Sequence, residues 1–153
     1  MLHFAYGSNM HCGVMRKHAP TAMALGMARL ADYRFVITSD GYASVAPARR
    51  RCVYGMLWRL TPRDRVTLDL WENIAAGQYR AENLPVLQDG RRRPALVYVA
   101  RRRPLGRPKA GYMEIVVDAA HALELPEGYI ASLKEWQPVR PLGSGYRKLG
   151  ELA

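Results

Sequence analysis

The sequence predicts an α+β protein: a small, mostly antiparallel β-barrel with a few peripheral helices. Short extended segments are punctuated by turn residues at close intervals, as in strand-rich domains. Two Asp-Gly pairs, Asp40-Gly41 and Asp89-Gly90, sit between such segments as hairpin signals. Three longer stretches carry helix-boundary signals. The 153 residues read as a single domain over 1–153, long enough to bury about 68–70% of the surface that the unfolded chain exposes. There is no repeat, low-complexity segment or long linker.

Leu2–Tyr6 reads as the first strand and breaks abruptly into Gly7-Ser8-Asn9. Asn9 is expected to cap a short helix running to about His18, weakened by Gly13 and stopped before Pro20. Extended segments follow at Met23–Leu30, Tyr33–Thr38, Tyr42–Ala46 and Cys52–Leu60. Thr61-Pro62-Arg63-Asp64 then opens the clearest helix, with a Thr N-cap, a proline at the first helical position and an acid in the first turn. It should run to about Asn73. Tyr79–Leu87 and Pro94–Ala100 form another expected strand pair. A helix from Tyr112 to about Leu123 and one following Pro126, ended by Pro138, complete the chain.

The net charge is +10, concentrated in Arg49–Arg51, Arg91–Arg93 and Arg101–Arg103. Such a surface attracts phosphate backbones without sequence preference. Each triplet falls at an apparent strand end or turn, however, and the simpler reading is solvated loop charge. Cys12 and Cys52 show neither CxxC nor zinc spacing, which reads as a reduced, intracellular protein, with one disulfide between them as the alternative. No basic leader precedes a continuous apolar stretch, and no run approaches the roughly 18 apolar residues of a membrane span, so a soluble, cytoplasmic protein is expected.

His3, His11, His18 and His121 form no HxxxH or HExxH arrangement and receive no role. No G-x-S-x-G elbow, phosphate loop or dinucleotide fingerprint occurs, and nothing points to a metal or cofactor. Two features can carry chemistry. Glu72 lies four residues after Leu68 and so shares its apolar face, at the negative end of the helix dipole and without a neighbouring cation; that profile raises a carboxyl pKa and suits a general base. The plainer alternative is a fraying helix end that points to water. Asp69 pairs more naturally with Arg65 at i, i+4. Gly7-Ser8-Asn9 is either a simple turn or a backbone cradle whose N–H groups suit a carboxylate or oxyanion.

FAYGSNM, GYASVAP followed by VYGMLWRLTPRDRVTLDLWEN, then GQYR and GYMEIVVDAAHALELPEGYIASL resemble, in order and spacing, the γ-glutamylcyclotransferase-like (AIG2-like) proteins. The resemblance spans about Phe4 to Leu133. It implies a barrel-centred fold with a cavity, Glu72 as the catalytic acid/base, Tyr6, Gly7, Ser8 and Asn9 as the binding loop, and Tyr79 and Tyr112 as further substrate-binding residues. It also implies a cofactor-independent cyclotransferase that releases 5-oxoproline from a small γ-glutamyl substrate. Asn73 stands where the family usually has glycine, and asparagine tolerates the left-handed conformation that such a glycine supplies. The rival readings are a non-catalytic module that binds a small acidic metabolite and a basic surface that binds nucleic acid.

Overall fold

A computed structural model describes residues 1–101 and 104–137. Arg102 and Arg103 of the third arginine triplet, and the helix stop expected at Pro138, lie outside them. Among the described residues, β1 (Leu2–Ala5), β2 (Met23–Ile37), β3 (Ala43–Arg59), β4 (Tyr79–Gln88) and β5 (Arg91–Ala100) close a barrel in the order β1-β3-β2-β4-β5. Neighbours are antiparallel except at the closure, where β1 runs parallel to β5 with His3 opposite Leu96. The helices are α1 (Cys12–His18), α2 (Pro62–Trp71), α3 (Tyr112–Ala122) and α4 (Glu127–Lys134).

Each expected pair of short strands in the first half is one long strand. β2 runs without interruption from Met23 to Ile37, and β3 carries the first arginine triplet inside it instead of at an end. The cause is a bulge. Ala31 pairs with Cys52 and Tyr33 with Pro47, so Asp32 alone opposes the stretch 48–51. Asp32 and Arg50 both take positive φ, 62° and 64°. The Asp32 carboxylate accepts the Arg50 backbone N–H at 3.0 Å, and the arginine side chains are left in solvent. Arg91–Arg93 likewise begin β5. Asp89 and Gly90, with φ of 50° and 75°, make the two-residue turn before it, the type I′ pattern that matches strand twist.

Asn9 is not the cap of the first helix. Ser8–Met10 is a single 3-10 turn, and His11 caps α1 by accepting the Gly13 N–H on Nδ1 at 3.1 Å. The Asn9 side chain is turned into the protein instead. Phe4, Leu30, Val53, Leu57, Val86 and Val97 are fully buried along the strands, as are Met113, Val116 and Leu133 on the outer helices. Gly55 permits the close approach of β1 to β3, because a Cβ there would stand 2.2 Å from the Ala5 carbonyl oxygen. Cys12 and Cys52 are free thiols. Among the described residues no helix is long and apolar enough to cross a membrane, and no group of three or more His, Cys, Asp or Glu is placed to hold a metal ion.

Candidate active site

The helix α2 is fixed at both ends. Thr61 accepts the Asp64 N–H at 3.2 Å while Asp64 accepts the Thr61 N–H at 3.0 Å, a complete capping box with Pro62 behind it. Thr21 clamps the buried Asp64 from the loop after α1, at 2.8 Å. At the other end the helix stops at Trp71, two residues before the expected limit, and Glu72 is its C-cap. Asn73 adopts φ 56°, its N–H bonds the Leu70 carbonyl at 3.2 Å, and the Ile74 N–H bonds the Asp69 carbonyl at 3.1 Å. These are the two bonds of a Schellman motif. Asn73 thus takes the conformation for which glycine is the usual choice.

That geometry directs Glu72 into a cavity of about 650 Å³. The residue is partly exposed because the cavity opens to solvent. Protein nevertheless surrounds the carboxyl, and this desolvation raises its pKa from 4.5 to about 7. No helix-dipole effect is needed. Asp69, one turn earlier, accepts the Arg65 Nε–H on both carboxylate oxygens, at 2.9 and 3.0 Å, and accepts the Tyr98 hydroxyl at 2.7 Å. It is structural, and Glu72 is the carboxylate left facing open space.

Tyr6, Gly7, Ser8, Asn9, Tyr79 and Tyr112 line the same cavity. The chain leaves β1 through Tyr6, whose hydroxyl donates to the Tyr98 carbonyl, and turns at Gly7. The first hydrogen bond inside the 3-10 turn is donated by Met10 to the Gly7 carbonyl, so the Ser8 and Asn9 N–H groups lie ahead of it. The Tyr112 hydroxyl sits over this loop. A Cβ on Gly7 would come within 2.7 Å of it, so the absent side chain lets the tyrosine approach. That hydroxyl oxygen accepts the Ala43 N–H at 3.3 Å and bonds Ser8; burial, partly offset by these donors, leaves its pKa at about 12. Tyr79 donates to the Ala43 carbonyl at 2.8 Å. Burial lifts Tyr6 and Tyr79 well above the ordinary phenol value, so both stay neutral.

Around Asn9 the structure gathers His18, Trp71 and Trp58, to none of which the sequence assigns a role. Asn9 Nδ2 donates to Glu72 Oε1 at 3.3 Å, while Asn9 Oδ1 meets His18 Nδ1 at 3.3 Å. The His18 ring stacks on Trp71 with centroids 3.8 Å apart. Trp58 Nε1 holds the Asn9 carbonyl at 3.1 Å. The histidine that received no role therefore stands one residue removed from the carboxyl. Only a tertiary contact could have revealed it.

Residues 52–133 match the model of the AIG2-like family. The chain belongs to that family. It is 24% identical over 148 residues to the gamma-glutamylcyclotransferase of Mus musculus and 25% identical to that of Homo sapiens, each match covering 90% of this chain and 79% of the relative. A solved structure of a gamma-glutamyl cyclotransferase superposes with a TM-score of 0.86 at 24% identity, covering 97% of this chain and 95% of that one. The Bacillus subtilis protein YkqA superposes at a TM-score of 0.78 and 23% identity over 88% of this chain and 53% of its own. The barrel and its helices are therefore the AIG2-like fold. The matched stretch contains Glu72, Tyr79 and Tyr112, whereas the loop Tyr6–Asn9 precedes it.

Proposed function

We propose that this AIG2-like protein is a γ-glutamyl cyclotransferase that releases 5-oxoproline from a γ-glutamyl amino acid, peptide or amine. The observation that carries the reading is a carboxyl of pKa about 7, hydrogen-bonded to Asn9, in a cavity whose rim is the Gly7–Asn9 backbone. The curated relatives named gamma-glutamylcyclotransferase add to it.

The chemistry follows from the substrate. Its α-nitrogen can curl back onto its own γ-carbonyl and close a five-membered lactam, and well-oriented intramolecular attack reaches effective molarities of ~10⁵–10⁸ M. At neutral pH the α-nitrogen is an ammonium and cannot attack. Ionised Glu72 takes one proton from it; the free amine then forms the C–N bond to the γ-carbon, placing negative charge on the carbonyl oxygen. Glu72 passes the proton to the departing nitrogen, the old C–N bond breaks, and the second proton of the attacking nitrogen follows the same route. No water is consumed. A carboxyl of pKa near 7 serves both directions, since base and acid forms are both populated at working pH. The Asn9 N–H, joined by the Ser8 N–H when the Tyr112 hydroxyl gives it up to substrate, holds the α-carboxylate or the oxyanion, and one such donor contributes about 3–4 kcal/mol in favourable cases.

The test is direct. Purified protein incubated with γ-glutamyl dipeptides, glutathione and γ-glutamyl amines should yield 5-oxoproline from at least one, and Glu72→Gln should remain folded without turnover. Absence of 5-oxoproline across the panel at high enzyme concentration would sink the proposal. Turnover by Glu72→Gln would move the catalyst elsewhere.

A further inference from the structure

Asn9 has one donor end and one acceptor end, and the two ends require different neighbours. Glu72 in its ionised form offers only acceptors, so Nδ2 must face it. Oδ1 then faces His18 Nδ1 at 3.3 Å, which can satisfy it only by carrying a proton. Turning the amide over would aim its oxygen at the carboxylate and forfeit both bonds. The tautomer of His18 therefore decides which end of Asn9 the carboxyl meets.

His18 reaches Glu72 by a second route. Its ring stacks on Trp71, 28° from parallel, and Trp71 is the residue immediately before Glu72 in the chain. Trp71 is 61% exposed, and its pairing with His18 is the only ring contact recorded for it among the described residues. The imidazole thus braces the end of α2 through the stack and the carboxylate through the amide.

We infer that His18 is a positioning residue for Glu72, acting through the Asn9 side-chain amide and supported by the stack on Trp71. This inference rests on the reading of Glu72 as the acid/base. An N–H bond to a carboxyl favours its ionised form, and the Asn9 amide is placed to make that bond. The other titratable groups that feel Glu72 are the hydroxyls of Tyr6, Tyr79 from β4, Tyr98 from β5 and Tyr112 from α3, all of them held neutral by burial. Burial, and after it the charge of the neighbouring Lys17 on α1, disfavours the His18 imidazolium. His18 is then neutral, with its single proton on Nδ1.

Two substitutions separate the routes. His18→Phe keeps a ring on Trp71 and removes the donor, whereas His18→Asn places an amide near the Nδ1 position and removes the ring. The readouts are kcat and KM on a γ-glutamyl substrate, the Glu72 carboxyl titration followed by carbon-13 resonance, and the thermal unfolding midpoint. In His18→Phe, kcat should fall about tenfold, part of the ~10²–10⁴ that a positioned acid/base supplies, with KM within about twofold. Its Glu72 midpoint should rise by about one unit, and His18→Asn should restore both. Wild-type kcat and titration in His18→Phe, or equal losses in both variants, would overturn the inference. So would an Nε2-protonated tautomer in the nitrogen-15 spectrum of the wild type. If the wild type makes no 5-oxoproline, or Glu72→Gln turns over, it is the proposed reaction that fails. The carboxyl titration still decides the role of His18 in that event, a raised midpoint in His18→Phe upholding it and an unchanged one refuting it.

Discussion

Replacing Glu72 by glutamine should stabilise the protein, and by an amount that depends on pH. Burial raises the carboxyl from 4.5 to about 7, and at 1.36 kcal/mol per unit that is about 3 kcal/mol of penalty on the ionised folded form. The sign follows from proton linkage. Below the unfolded value the group is neutral in both states and contributes nothing to the difference. Between 4.5 and about 7 the unfolded chain gives up the proton while the folded one retains it, so stability falls as pH rises. Above that window the full penalty applies. Glutamine stays neutral throughout and keeps an acceptor for Asn9. At about 2–4 °C per kcal/mol for a chain of this length, Glu72→Gln should melt about 6–12 °C above wild type at pH 8, as an upper limit, because the cavity is open to water. The two should coincide near pH 4.5. Thermal scans of both proteins across this range need no substrate. A difference that does not change with pH, or a less stable variant at pH 8, would refute the desolvation argument.

Other consequences can be read the same way. The acid limb of kcat/KM should turn near pH 7, where Glu72 ionises, and should be absent from any residual activity of Glu72→Gln. Asn73→Gly should leave the melting temperature within a degree or so, whereas Asn73→Val, forced into φ 56°, should cost about 1–2 kcal/mol and lower kcat by moving the carboxyl. Gly7→Ala should push the Tyr112 hydroxyl off the loop, the added carbon lying 2.7 Å from it, and raise KM sharply with little change in far-ultraviolet circular dichroism. Thr61→Ala removes half of the capping box and should cost about 1 kcal/mol in chemical denaturation.

The parts that could be read from the chain are those governed by local rules. Thr61-Pro62-Arg63-Asp64 supplies a cap, a fixed φ and a reciprocal acceptor within four residues, and Asp89-Gly90 supplies two residues tolerant of positive φ between two strands. The parts that misled were those in which one residue answers to a distant partner. Asp32 keeps β2 and β3 continuous by capping the Arg50 amide across the ladder; seen along the sequence, the same stretch looks like two strand ends. Asn9 has the composition of a helix cap but serves Glu72 and His18, and His11 takes over the capping. For Glu72 the spacing from Leu68 offered the inner face and a fraying end that points to water was the alternative; the structure places it among the cavity-lining residues. The direction of its pKa shift was legible too, although burial and not the helix dipole is its cause.

The Schellman turn at Asn73 separates what must be fixed from what is free to vary. Two main-chain hydrogen bonds that close behind Glu72 set where its side chain leaves the helix, and the Asn9 amide then meets the carboxyl. The backbone exit of Glu72 is therefore set by a left-handed residue at 73 and by the Ile74 amide, a demand that many side chains around the turn can meet. A designer reshaping this cavity would keep residues 69–74 as one main-chain unit and vary lining side chains on other elements, such as Val14 and Ile115.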